Sequence, residues 1–288
     1  MEKQINIVYF SGTGGTERAA KCFEAAFKKA GYTVGLFRLQ AESHFGYSEN
    51  VPLMLLYPVY AMNAPALVYK WISSIGVSSR APAIVISVSG GGETSPNTAC
   101  RVKAIRMLED KGYIVTYEEM LIMPANVFIN IKPEISKLLI DALPKKAEKI
   151  VSEIDSGKTL RKKPHVIDRL FSSLGHLEEK GAKSIGQAII VSDSCIGCAW
   201  CSKNCPTGNI SIVNEKPVFA DKCNFCLSCI YGCPEKALSP GKGKFAVIKQ
   251  GYNLYEMEKH PPIENADIDK LTKGWLYGGL RKYLKDAK

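Results

Sequence analysis

The stretch YFSGTGGTERAA, residues 9–20, joins a strand pattern to a helical pattern. The apolar run at 5–10, INIVYF, is typical of a fully buried strand. Apolar residues then recur at helical spacing from Ala19 until Gly31 supplies a C-terminal stop. Between the two patterns, glycines and hydroxyl residues leave backbone N–H groups available to bind an anion at the start of the helix. The stretch predicts a strand, a phosphate-binding loop and a helix, with a plain strand-to-helix turn as the structural alternative.

The same alternation continues through the first half of the chain. Strand-like runs follow at 33–39, 53–57, 83–88 and 114–122, and helical patterns lie at 66–75, 96–111 and 135–154. Residues 40–52 show no convincing helix, but they are long enough for a parallel crossover with a short or irregular one. Five strands alternating with helices predict an α/β fold with a doubly wound, five-stranded parallel sheet.

Three loops of this sheet are unusual in composition. In doubly wound sheets the ligand lies beyond the carboxyl ends of the strands, so the loops after strands one, three and four should converge on it. Ser95 followed by Pro96 is interpreted as an N-cap and a first helical position. The candidate binding residues are Ser11, Gly12, Thr13, Gly14, Gly15 and Thr16 in the first loop, Pro58, Tyr60, Met62 and Asn63 in the second, and Ser89, Gly90, Gly91 and Gly92 in the third.

The first loop excludes two common phosphate-binding motifs. A P-loop needs a lysine directly after its last glycine, and here the first lysine after the loop is Lys21. A dinucleotide loop needs a third glycine where this chain has Glu17, and an acidic residue near 36–40, where none occurs. Hydroxyls, amides and a helix dipole remain, and these suit a monophosphate. SGTGGT resembles the flavodoxin phosphate loop S/T-x-T-G-x-T at every fixed position.

The resemblance to flavodoxins implies FMN as the ligand. It places Tyr60 against the isoalloxazine ring, with Met62 and Asn63 near the ring edge. The alternative for Tyr60 is a packing aromatic at a strand end. The third loop, SGGGETSPN at 89–97, departs from the family because it has no aromatic residue for the other ring face. That face is therefore expected to be open or covered by another part of the chain.

The second half of the chain contains a repeated cysteine motif. CIGCAWCSKNCP at 195–206 and CNFCLSCIYGCP at 223–234 each spell C-x2-C-x2-C-x3-C-P, at an offset of 28 residues. Eight of the ten cysteines belong to these motifs. Thiols at this density are too numerous for a typical structural zinc pair, and disulfides are out of place in a cytoplasmic chain. Iron–sulfur clusters, which take four thiolates each, fit the count.

Residues 186–240 closely resemble the bacterial two-cluster [4Fe–4S] ferredoxins, which implies a small α+β domain. In that family the fourth cysteine of each motif ligates the other cluster. Trp200, Phe225 and Tyr231 lie between the cysteines and are expected to shield the clusters. The resemblance implies Cys195, Cys198, Cys201 and Cys233 as ligands of cluster one, and Cys223, Cys226, Cys229 and Cys205 as ligands of cluster two.

The chain therefore divides into four segments. We predict a flavodoxin-like FMN-binding domain at 1–155, a partly helical connector at 156–185, the ferredoxin domain at 186–240 and a C-terminal extension at 241–288 that packs on the domains. In the extension, Leu271, Trp275, Leu280 and Leu284 are predicted to share a helical face that packs on the protein itself; contact with a membrane surface is the alternative.

Composition narrows the class of protein and of partner. A hydrophobic content of 46% is ordinary for a globular chain, and no signal peptide or membrane span is recognised, so we expect a cytoplasmic protein. The formal net charge is +10, but no segment combines a dense basic block with aromatic residues, which argues against nucleic acid. A mildly basic face suits an acidic protein partner, and solubility alone explains the charge as well.

The SGTGGT loop in the first half and the repeated cysteine motif in the second together resemble flavodoxin–ferredoxin fusion proteins of anaerobic microbes. This resemblance implies FMN, two [4Fe–4S] clusters and low-potential electron transfer between redox protein partners. An FMN-dependent reductase that acts on a small substrate and receives electrons through its clusters is the alternative. A third hypothesis is a flavin-like domain that binds no flavin and serves for docking. Nothing in the sequence indicates a direct NAD(P)H site.

Overall fold

A five-stranded parallel sheet forms the first half of the protein. The computed structural model describes residues 3–173, 176–274 and 277–287, with the side chains of 176–179 left out. The strand order β2–β1–β3–β4–β5 is that of the flavodoxin-like doubly wound fold, as predicted. All four pairings are parallel. The strands are β1 Gln4–Tyr9, β2 Thr33–Arg38, β3 Leu53–Pro58, β4 Pro82–Ser89 and β5 Ile114–Ile122.

Four helices cover the two faces of this sheet: α1 Gly15–Lys29, α2 Ala66–Ser74, α3 Val102–Asp110 and α4 Pro133–Asp155. Helix α1 packs beside α4 on one face, and α2 packs beside α3 on the other. Alternate residues of β1 and of the position after it enter the two cores, since Ile5 and Ile7 lie with α1 and α4 while Val8 and Phe10 lie with α2. Strands that are buried on both faces need apolar residues at nearly every position, which explains the continuous apolar runs.

The crossover from β2 to β3 contains no helix. Residues 40–52 run as turns and irregular chain. Phe45 and Tyr47 pack on Phe37 of β2 instead, with ring centroids 4.9 and 5.3 Å from that of Phe37. An aromatic cluster therefore covers this part of the sheet in place of a helix.

The predicted N-cap at Ser95 is wrong. Helix α3 begins at Val102, and a single 3₁₀ turn, Asn97–Ala99, precedes it. The Ser95 hydroxyl donates instead to the Asp168 carboxylate, 2.6 Å away. Because that side chain binds a distant carboxylate, it does not cap the backbone of its own segment.

A buried charge network joins β4, β5 and the start of α3. Arg101 is 1% exposed, and its guanidinium donates to the Glu118 carboxylate at 2.8 Å, to Ser87 Oγ at 2.8 Å and to Glu93. Glu118 also accepts from Arg161, at 3.2 Å, and so connects the network to the segment after α4. Each buried charge has partners, which offsets the free-energy cost of removing it from water.

Replacing Arg101 by Met should lower the free energy of unfolding by about 3–5 kcal/mol, because Glu118 and Glu93 lose their buried partner. Chemical denaturation of purified protein would measure this. Arg106→Met, an exposed change in α3, is the matched control and should cost less than about 1 kcal/mol. Equal stability of the two variants would contradict the role assigned to the network.

Two further helices, α5 Val166–Ser173 and α6 His176–Gln187, lie in the connector. Asp168 of α5 is fully buried and accepts from Ser95 Oγ, from Thr98 Oγ1 at 2.5 Å and from the Thr98 N–H at 3.2 Å. Burial alone would raise the pKa of Asp168, but these hydrogen bonds outweigh it and hold the pKa below its usual value. The charged carboxylate thus fastens the connector to the loop after β4.

Short elements make up the cysteine-rich region. Its strands form two antiparallel pairs, β6 with β9 and β7 with β8. Each of its two short helices begins inside a cysteine motif. The elements are β6 Ile190–Val191, α7 Trp200–Lys203, β7 Ile210–Val213, β8 Lys216–Phe219, α8 Ser228–Gly232 and β9 Leu238–Ser239.

The C-terminal extension packs on the first half of the chain through helices α9 Leu254–Glu258, α10 Ile268–Leu271 and α11 Gly278–Lys285. The single helical face expected here is wrong, because Leu271 ends α10, whereas Leu280 and Leu284 belong to α11. Trp275, the fourth residue of that pattern, lies outside the described residues. Leu280 and Leu284 are buried in one core with residues of β5 and α4.

Across residues 3–173, 176–274 and 277–287, no helix combines the length and the apolar character that crossing a bilayer requires.

Candidate cofactor sites

The loop between β1 and α1 leaves backbone N–H groups available as hydrogen-bond donors. Gly14, at φ 94°, turns the chain into α1 through the left-handed conformation that favours glycine. Its N–H donates to Ser11 Oγ at 3.2 Å and closes the loop. No side chain caps the first turn of α1, so those N–H groups remain available to a ligand. This donor set fits the phosphate of FMN.

Residues from distant segments hold Thr13 of this loop. The Asn126 side-chain amide donates to Thr13 Oγ1 at 2.9 Å, from the segment that follows β5. Tyr252 of the C-terminal extension lies beside the same hydroxyl, is buried, and donates to the Pro124 carbonyl at 3.0 Å. Sequence analysis missed Asn126 and Tyr252, because neither belongs to a motif and both meet Thr13 only through the fold.

The loop after β3 forms a tight turn from Tyr60 to Asn63. Their backbones exchange hydrogen bonds of 2.9 and 2.8 Å, and Met62 between them has φ 65°. Tyr60 packs edge-on against Phe10, with ring centroids 6.1 Å apart. Asn63 is buried and donates through Nδ2 to the Ser172 carbonyl at 3.0 Å, so its amide binds the connector.

The loop after β4 uses its glycines for close packing. A Cβ at Gly90 would lie 2.5 Å from Ala125 Cβ, and one at Gly92 would lie 2.6 Å from Ile122 Cδ1. A Cβ at Gly279, in α11, would lie 2.7 Å from the Gly91 carbonyl oxygen. The loop after β4, which has no aromatic residue, is therefore covered in part by the beginning of α11.

The eight motif cysteines surround two separate cavities. The cysteines of each cavity are accompanied by apolar side chains, such as Ile212 in the first and Phe219 in the second. Among the described residues, no three His, Cys, Asp or Glu side chains converge as one metal ion requires. Cys195, Cys198, Cys201 and Cys233 line the first cavity, and Cys205, Cys223, Cys226 and Cys229 line the second. The two groups are those that the ferredoxin resemblance implies.

The two motifs share a backbone geometry. Ala199 and Leu227, which are 28 positions apart, have left-handed φ values of 59° and 62°, and a short helix begins directly after each. The amides of Asn209 and Ala237, also 28 positions apart, donate to Cys205 Sγ and Cys233 Sγ at 3.3 Å. Amide donors toward sulfur favour thiolate ligands, so the donor set fits two iron–sulfur clusters.

Several motif cysteines are partly withdrawn from water. Burial raises the pKa of Cys226 to about 12 and also raises the pKa of Cys223 and Cys229. Without bound iron these thiols therefore keep their protons at neutral pH. Because the ligand is the thiolate, binding of a cluster must release protons from this cavity.

The second cavity borders the phosphate loop directly. A Cβ at Gly12 would lie 2.6 Å from the Cys226 carbonyl oxygen and 2.9 Å from the Tyr60 hydroxyl. A second contact lies nearby, where the Tyr231 hydroxyl donates to the Asn126 carbonyl at 2.8 Å and accepts from the Ile248 N–H at 2.9 Å. Tyr231, expected only to shield a cluster, thus joins the two halves of the protein.

Replacing Cys205 by Ala should damage the cluster held by Cys223, Cys226 and Cys229, because the Cys205 thiol lines that cavity. Electron paramagnetic resonance of the reduced protein would show which cluster is lost. Cys233→Ala is the matched variant and should damage the other cluster. Selective loss of the cluster held by Cys195, Cys198 and Cys201 in the Cys205 variant would contradict the crossover.

Replacing Thr13 by Val keeps the shape of the side chain but removes its hydroxyl. We expect FMN to bind about 1–3 kcal/mol more weakly, because the polar group of FMN that would bond to this hydroxyl is left unpaired. Fluorescence titration of FMN into the apoprotein would measure the affinity. Thr13→Ser, which keeps the hydroxyl, should retain most of it. FMN affinity of Thr13→Val equal to that of the parent would remove Thr13 from the phosphate site.

The chain is similar to one family model in its cysteine-rich segment and to solved structures over about half of its length. Residues 187–235 match the 4Fe-4S dicluster domain family. Similar solved structures include a flavodoxin from the domain Archaea, at 9% identity and a TM-score of 0.37, covering 53% of this chain and 99% of that one. An azoreductase from Bacillus anthracis str. Sterne has 12% identity and a TM-score of 0.40, covering 53% and 100%. Megasphaera elsdenii flavodoxin has 23% identity and a TM-score of 0.34, covering 50% and 98%.

A search of curated proteins finds no match. The assignment rests on the strand order of the sheet and on the matched cysteine-rich segment. Together they give the chain a flavodoxin-like doubly wound sheet followed by a 4Fe-4S dicluster segment.

Proposed function

We propose that the protein is a low-potential electron carrier that relays electrons between two [4Fe–4S] clusters and FMN within one chain. When bound, FMN supplies one- or two-electron chemistry and each cluster supplies one-electron chemistry. The three sheet loops would hold FMN, and the two groups of four cysteines would hold the clusters. All ten cysteines are free thiols, which suits a reducing cytoplasm.

The contact between Cys226 and Gly12 is the observation that supports this proposal most. It places a proposed ligand of cluster two against the loop that would bind the FMN phosphate. Electron transfer needs closely spaced redox groups, and the same Gly12 position also lies beside the hydroxyl of Tyr60, in the loop that is predicted to border the isoalloxazine ring. A pair of carriers joined only by a flexible linker would not need such a contact.

Several other contacts hold the two sites in one position. Tyr231, which follows a cluster cysteine, bonds to Asn126 and Ile248. The connector is fastened through Asp168 to the loop after β4, and through Ser172 to Asn63 in the loop after β3. A fixed arrangement of this kind favours transfer within one molecule over transfer between molecules.

A fully loaded chain should accept about four electrons in an anaerobic reductive titration, one for each cluster and two for FMN. After rapid reduction of the clusters, flavin reduction followed by stopped-flow absorbance should not depend on protein concentration. Gly12→Ala should slow this phase severalfold, because its Cβ would clash with Cys226; its FMN and iron contents are measured alongside, so that loss of a cofactor is distinguished from loss of the contact.

Gly46→Ala is the control for this experiment, because no atom lies within 4 Å of a Cβ at that position. A rate that rises in proportion to protein concentration would show that electrons pass only between molecules. An absorbance spectrum without flavin bands would instead favour a docking module that binds no flavin.

A cleft of about 360 Å³ favours the second candidate function, reduction of a small substrate. It lies beside Tyr60 and contains three exposed cationic side chains, Lys103, Arg106 and Arg169. A small anion bound there would lie next to the loop that is predicted to border the flavin ring. Saturable steady-state turnover of small anionic acceptors, lost in Arg106→Gln, would support this function; turnover without saturation would favour the carrier.

A further inference from the structure

Two phenylalanine side chains form an exposed aromatic pair. Phe128 follows β5 and is 68% exposed, and Phe245 lies in the C-terminal extension and is 70% exposed. Their ring centroids are 6.2 Å apart. Large aromatic side chains seldom remain this exposed unless they take part in an interface.

The backbone is built to present this pair. Phe128 has φ 62°, a left-handed conformation that is uncommon for a bulky residue and costs free energy. The Phe128 N–H donates to the Ala246 carbonyl at 2.8 Å, and Val127 forms a bridge with Val247. These bonds hold two distant segments side by side and keep both rings at the surface.

Lysines flank both phenylalanines along the chain. The segments 126–132 and 240–252 contain four lysines and no acidic residue. All four lysines are exposed, and in the described part of the chain none forms an ion pair with a carboxylate. They are Lys132, Lys242, Lys244 and Lys249. With the aromatic pair they define what we call the basic aromatic surface.

This surface lies over the second cluster cavity. Gly243 packs on Phe225, since a Cβ at Gly243 would lie 2.9 Å from the Phe225 ring. Phe225 stands between two cluster cysteines, and its N–H donates to Cys223 Sγ at 3.3 Å. At the other edge of the surface, Asn126 bonds to Thr13 of the phosphate loop. The surface is thus close to both proposed redox sites.

We propose that the basic aromatic surface is the docking site for a small acidic redox protein. This inference rests on the proposed function. Apolar contact at the centre and complementary charge at the rim suit a weak complex that forms and separates quickly. One electron passes in each encounter: a reduced partner loses it, the [4Fe–4S] domain gains it, and no bond is made or broken. The contact with Phe225 favours this partner over a membrane, which the same chemistry could also bind.

The test uses the full chain, purified anaerobically with its cofactors, and a small acidic [2Fe–2S] ferredoxin as the probe. Binding is measured by isothermal titration calorimetry at low and high salt, so this readout does not require electron transfer. Binding should weaken roughly tenfold or more as ionic strength rises from about 20 to 200 mM. The second-order rate constant of electron transfer is then measured by stopped flow and should fall in parallel.

The variant that tests the surface combines Lys132→Gln, Lys242→Gln, Lys244→Gln and Lys249→Gln. Its control removes the same charge elsewhere through Lys21→Gln, Lys28→Gln, Lys29→Gln and Lys158→Gln, all exposed lysines paired with glutamates. We expect the first variant to bind roughly tenfold more weakly and the control to stay within about twofold. Phe245→Ser should weaken binding while it leaves the salt dependence unchanged, because it removes no charge.

Equal weakening by both quadruple variants would overturn the proposal, because net charge alone would then explain binding. Parent-like binding of the first variant would overturn it as well. Binding to phosphatidylglycerol vesicles that is lost in the first variant, without binding to the ferredoxin, would identify a membrane site instead. Failure of the proposed function is a separate result: the chain would accept fewer than about four electrons while ferredoxin binding and its loss in the variant persist.

Discussion

The approach of Cys226 to Gly12 determines how the two halves of this protein are arranged. A Cβ at position 12 would stand 2.6 Å from the Cys226 carbonyl oxygen, so only glycine leaves room for the contact. Cys226 lines the second cysteine cavity, and that cavity therefore borders the phosphate loop. Because the cysteines that line the two cavities are interleaved along the chain, this one contact also fixes the position of the first cavity.

The connector and the C-terminal extension stabilise this arrangement with different chemistry. The connector uses polar contacts, chiefly the buried Asp168 carboxylate with Ser95 and Thr98. The extension uses apolar burial, since Tyr252 and Leu254 enter the same core as α1 and α4. Buried charged groups in the first half also have hydrogen-bonding partners, as Asp168 does. Arg101 is buried only together with Glu118 and Glu93. Every buried charge in these contacts is hydrogen-bonded, and that of Arg101 is also ion-paired.

Sequence reasoning predicted the fold closely because its signals were local. The apolar runs identified all five strands, and the glycine and hydroxyl residues at 11–16 predicted a loop between β1 and α1. Thiol spacing likewise identified the dicluster segment. Local signals were misleading where a side chain had a distant partner: Ser95 has the sequence of an N-cap, but its hydroxyl bonds to Asp168, and α3 begins at Val102. The glycines after β4 are explained by packing against Ala125 and Ile122 as well as by loop chemistry.

The sequence by itself determined the class of the protein: a doubly wound sheet with a glycine-rich loop after its first strand, followed by eight thiols at iron–sulfur spacing. These features depend on periodicity and on residue chemistry within a few positions. Tertiary structure alone decided which cavity touches the phosphate loop, which residues hold Thr13, and where Phe128 and Phe245 meet. Such contacts join residues about 100 to 240 positions apart, and their free energies come from shape and burial in the folded chain, which no local pattern encodes.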